Sequence, residues 1–102
     1  MGDLQPYEIA ILLKMYDEGI IANAYKPIER VHSKIKWRQI ASAYRVKDSF
    51  ESVARRLVKM KLLTDHGKSM AVLALDKLGV DYVVGYLKIH PNAMKELESM
   101  LS

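Results

Sequence analysis

The sequence predicts a mainly helical domain with one small β-hairpin, and three observations carry that expectation. Apolar residues recur at helical spacing through most of the first sixty positions. Two short β-prone runs, at 62–64 and 71–75, flank Asp65-His66-Gly67-Lys68-Ser69, a segment with turn chemistry. Proline, glycine and capping residues stand where helices would begin and end. The 102 residues, half of them hydrophobic, suffice for one core, so a single domain over 1–102 is expected.

The first helix is expected over 6–18. Pro6 suits the first helical position, Ile9, Leu12, Leu13 and Tyr16 share a face, and Gly19 stops the helix. Residues 20–25 read equally as a small strand or a packed loop. A second helix over 27–35 opens on Pro27, aligns Ile28, Val31 and Ile35, and either continues into 37–45 or kinks before it. A third, over 37–45, turns Trp37, Ile40, Ala41 and Tyr44 inward and Arg38, Gln39, Ser42 and Arg45 outward. Residues 46–49 make a turn, with Asp48 or Ser49 as the next cap.

The helix over 49–60 places Phe50, Val53, Ala54, Leu57 and Val58 inside. Ser52, Arg55, Arg56 and Lys59 form much of its outer face. After the hairpin, Asp76 caps a helix over 77–90. Pro91 breaks it, and 92–101 gives one more short helix with Met94, Leu97 and Leu101 on a stripe.

Charge is segregated along the chain. The net charge is +4, but residues 26–61 hold +8 and the remainder −4. A basic block between acidic ends points to one electropositive face directed at a polyanion, against the alternative of a solvated Lys-rich surface.

The element order is helix, helix, turn, helix, hairpin, helix, the order of a winged helix-turn-helix. Over 37–83 the sequence resembles the winged-helix superfamily of DNA-binding regulators. Three pieces carry the resemblance. Ile40-Ala41 followed by Val46 looks like the family's Ile-Ala pair and post-turn apolar residue. The run from Val53 through Arg55, Arg56, Leu57 and Lys59 to Leu63 is similar to the recognition helix leading into the wing. Leu75-Asp76-Lys77-Leu78-Gly79 looks like the strand-cap-helix element after the wing, with Asp76 where Thr is common. Arg45 and Lys61 stand where the family often has Gly, so Lys61 is expected to hold a left-handed backbone at a cost of roughly 1–2 kcal/mol. The last helix is also similar to the N-terminal winged helix of the second class of Rio protein kinases. No Gly-rich phosphate loop or kinase catalytic-loop signature accompanies it.

The resemblance implies a double-stranded DNA partner and a role in transcriptional regulation. Arg55, Arg56 and Lys59, with Ser49 and Ser52, are the expected major-groove residues. Arg38 and Arg45 would grip the phosphate backbone, and Lys68 would act from the wing tip, next to His66. The alternative is a winged helix used as a protein or ribonucleoprotein adaptor, which needs no basic outer face. Trp37, Tyr44 and Phe50 fit the buried stripes better than a base-stacking platform.

The C-terminal part, 77–102, is expected to form a two-fold dimer. Val80, Val84 and Leu87, with Met94, Leu97 and Leu101, make more apolar surface than one core needs. Tyr82 and Tyr86 form a second stripe on the 77–90 helix, and the alternative is that the C-terminal segment folds back and covers it within the chain.

No enzyme is expected. The chain has no cysteine, which rules out thiolate chemistry and disulfides. His32, His66 and His90 lack ligand spacing, so neither a metal nor another cofactor is expected. The carboxylates form no paired-acid arrangement, and no nucleophile elbow, P-loop or dinucleotide fingerprint occurs. No apolar run approaches the length of about 18–20 residues that spans a bilayer, so no membrane partner is expected. The first residues lack the basic flank and apolar stretch of a signal peptide, and the cytoplasm is the expected compartment.

Overall fold

The computed structural model describes residues 4–66 and 71–101. Helix α1 spans Pro6–Asp17, and Gly19 closes it at φ +71°. Strand β1, Lys26–Pro27, runs directly into α2, Ile28–Lys34. Helices α3, Trp37–Tyr44, and α4, Phe50–Lys59, follow. Strands β2, Leu63–His66, and β3, Val72–Leu75, precede α5, Lys77–Ile89, and α6, Ala93–Leu101.

The hairpin is part of a three-stranded antiparallel sheet, ordered β1-β3-β2. Leu63 faces Leu75 and His66 faces Val72 across the hairpin, while Lys26 faces Leu73 and Pro27 faces Val72 on the other side. Pro27 lies on an edge strand, where its missing N–H breaks no ladder bond. Residues 20–22 add to the same edge. The Leu75 N–H donates to the Ile20 carbonyl at 2.8 Å, and the Ala22 N–H donates to the Leu75 carbonyl at 3.0 Å. The ambiguous stretch 20–25 is therefore a bridge followed by a turn into β1. Pro27 ends that strand and sits just before the helix rather than inside it.

Helix α1 is the centre of the domain. Ala10 through Met15 are all buried, not only the stripe that the periodicity marks. A helix buried all round has neighbours on every side, and α1 packs on α2, α3, α5, α6 and β3.

Two expected interface residues belong to that core. Leu97 is 4% and Leu101 6% exposed, because α6 folds back onto α1 and α3. They are core residues of one chain and offer nothing to a second. Val80, Leu87 and Met94 are half-buried against the same core. Of the expected interface set, Val84 alone is an exposed large apolar side chain, alongside Leu78, Ile89 and Met100.

Gly79 lets α5 lie against the strand side of the domain. A Cβ there would fall on the Leu62 carbonyl oxygen. That carbonyl also accepts from the Asp76 N–H at 3.0 Å, and the Asp76 carboxylate accepts from the Lys77 N–H at 2.8 Å. Cap and close approach together set the direction in which α5 leaves the sheet.

Candidate nucleic-acid interface

Helix α4 forms because Ser49 caps it and because its apolar residues fall on one side. The Ser49 hydroxyl oxygen accepts from the Ser52 N–H at 3.2 Å. Phe50, Val53, Ala54 and Leu57 are buried, and Ser52, Arg55, Arg56 and Lys59 are exposed. Trp37, at the start of α3, packs on Phe50 with ring centroids 5.4 Å apart. This contact joins the two helix starts and leaves the outer face of α4 open.

The expected site residues do not play one role. The Arg55 guanidinium meets Glu51 one turn earlier at 3.0 Å, an exposed pair of small energetic weight. Arg56 is turned toward α1, and its Nε lies 3.3 Å from Oε2 of the buried Glu8. Lys59 has no ion-pair partner among the described residues and is fully available to an anion. Ser49 spends its oxygen on the cap. Arg38, on α3, is exposed and borders a shallow groove with Ser42, Ala43 and Met100 that no α4 residue lines. Lys68 lies outside the described residues. His66 is in β2, with its ring 3.7 Å from that of Tyr25.

The corners at helix ends carry a further pattern. Lys36, Arg45 and Lys61 hold left-handed backbones, at φ +58°, +56° and +63°. All three are exposed and all lie within the basic block. At Lys61 the bonds are those of a Schellman motif: the Lys61 N–H donates to Val58 and the Leu62 N–H to Leu57, at 2.9 and 3.0 Å. The same pair of bonds closes α1 at Gly19. Glycine fills that geometry without strain, whereas each cation costs about 1 kcal/mol or more. Ala22 holds the same left-handed backbone at φ +53°, so the geometry is not confined to the cations.

Two ion pairs distant in sequence, Glu8–Arg56 and Lys14–Glu98, join elements that the sequence does not mark as neighbours. The Glu8 carboxylate accepts from the Gln5 N–H at 2.8 Å and also binds Arg56. Its only signal is a Glu three residues after the residue preceding Pro6, the spacing of a capping box. Lys14, a cation inside an apolar helical run, reaches Glu98 on α6 at 2.8 Å.

Among the described residues no group of three His, Cys, Asp or Glu side chains could hold a metal ion, and no helix is long and apolar enough to cross a membrane. Comparison with protein-family models, curated proteins and solved structures gives no match.

Proposed function

We propose that this chain is a winged helix-turn-helix domain that binds double-stranded DNA as a transcriptional regulator. Helices α3 and α4 are the paired helices, α4 enters the major groove, and β2–β3 is the wing. The observation that carries this reading is the exposed face of α4. It presents Ser52, Arg55 and Lys59 beside the strained cation Lys61, while the opposite face is buried. Arg55 is the base reader and Lys59 the phosphate contact. Arg56 is chiefly the tie that fixes α4 against α1.

Titrating labelled duplex DNA with the parent chain, Arg55→Ala and Lys59→Ala tests the assignment. Arg55→Ala should weaken the preferred site by about 1–3 kcal/mol and relax preference at one position. Lys59→Ala should weaken all sequences alike. Unchanged affinity in both variants would move the reading to a protein or ribonucleoprotein adaptor.

We also propose that two copies pair through the outer face of α5, which exposes Leu78, Asp81, Val84, Gly85, Lys88 and Ile89. This face is self-complementary. An antiparallel pairing centred between Val84 and Gly85 sets Asp81 of each copy opposite Lys88 of the other. A Cβ at Gly85 would meet nothing within 4 Å, so the backbone there is open to close approach. Ile89, 75% exposed, then gains an apolar neighbour.

A further inference from the structure

A cavity of about 520 Å³ lies between α1, the end of α3, the second half of α5 and α6. Its size is that of a small-ligand site. Ile9 and Leu13 contribute apolar walls, and Tyr44, Tyr86, His90 and Glu96 supply the polar groups. None of these four is among the residues assigned to DNA.

The polar groups have a consistent chemistry. No Lys or Arg lines the cavity, and Glu96 places a carboxylate on its rim. The Tyr86 and His90 rings lie 4.5 Å apart at 37°, and Tyr82 stacks on Tyr86 at 6.2 Å. Among the described residues the Tyr44 and Tyr86 hydroxyls and the Glu96 carboxylate have no hydrogen-bond or ion-pair partner. Burial, and next the neighbouring Tyr86, push the Tyr44 hydroxyl above its ordinary value. Aromatic faces and one carboxylate attract a positive charge, and the same faces repel an anion.

We propose that this cavity binds a small organic cation with an apolar body, its charge held beside Glu96 and against the Tyr44 ring and the packed Tyr86–His90 pair. Tyr44 is the last residue of α3, one before the Arg45 corner that leads into α4. A ligand here therefore touches the connection to the proposed DNA-reading helix. That coupling rests on the DNA reading; the binding itself does not.

The test is calorimetric titration of the intact chain with phenyltrimethylammonium, neutral acetophenone and benzenesulfonate. A cation of about ten heavy atoms should bind with a Kd of about 1 mM or tighter. Acetophenone should bind about tenfold more weakly, and benzenesulfonate should give no saturable heat. Glu96→Gln, an exposed change that leaves packing alone, should weaken the cation by about threefold to tenfold, and Tyr86→Leu by about tenfold, with both unfolding temperatures followed in parallel. Equal binding of the three probes, no binding of the cation, or an unchanged Kd in Glu96→Gln would overturn the proposal. None of these results bears on DNA affinity, so the two readings fail separately.

Discussion

The Nε of Arg56 lies 3.3 Å from a carboxylate oxygen of Glu8, a side chain only 1% exposed. The other oxygen of that carboxylate accepts from the Gln5 N–H at the start of α1. A single acidic group thus completes the cap of the central helix and anchors α4 against it. The orientation of the outer face of α4 depends on this contact. Arg56 therefore belongs more to the framework of α4 than to its proposed reading surface.

Replacing Arg56 by Ala leaves the buried Glu8 carboxylate with one partner. It should destabilise the fold by about 1–3 kcal/mol, measured by urea unfolding at pH 7. Arg55→Ala removes only an exposed helical pair and should cost about 0.5 kcal/mol or less. Equal stability losses in the two variants would contradict the division of roles.

Lys61 separates stability from binding in the opposite direction. Lys61→Gly relieves a left-handed backbone at φ +63° and should raise stability by up to about 1 kcal/mol. It also removes a cation beside the proposed DNA face and should weaken duplex binding at low salt. A variant that is stabilised and binds as well as the parent would show that the strained cation has no part in binding.

Features governed by local chemistry were legible in the sequence. Ser49 and Asp76 cap their helices, Gly19 ends α1, and Lys61 takes the left-handed corner, all through bonds within a few residues. The basic face of α4 was legible for the same reason: one helix turn of spacing decides it. Contacts distant in sequence were not. Leu97 and Leu101 have the apolar periodicity of an interface, and periodicity does not say which apolar surface covers them. The tie between Glu8 and Arg56 spans most of the first half of the chain. Strand β1, which completes the sheet beside the hairpin, is two residues long and includes a proline, too short to give an alternating pattern.

Self-pairing through α5 predicts a charge-swap result. Asp81→Lys and Lys88→Asp should each shift sedimentation equilibrium toward a mass near 11.7 kDa, because like charges then face each other across the pair. The double variant should restore the dimer. If the parent chain itself sediments as a monomer, or if the double variant fails to recover, the α5 pairing is wrong.

The Lys14–Glu98 contact predicts a pH dependence. The hydrogen bond from Lys14, and then its charge, hold the Glu98 carboxyl below its ordinary value. A carboxyl depressed in the folded state contributes stability above its unfolded pKa and loses it as the pH falls through the folded value. Glu98→Gln should therefore unfold below the parent at pH 7. The gap should close on acidification from about pH 5 downward. A gap that stays constant over that range would mean that the contact does not couple to folding.

The most direct measurement of the central claim is duplex DNA affinity as a function of salt, with random and selected sequences. If α4 and the flanking cations engage about four phosphates per chain, log K should fall against log salt with a slope near −3.6 per chain, and near twice that for a dimer. A slope of that size, reduced by about one unit in Lys59→Ala, is the expected result. No binding at low salt, or an affinity indifferent to salt, would contradict DNA recognition by this face.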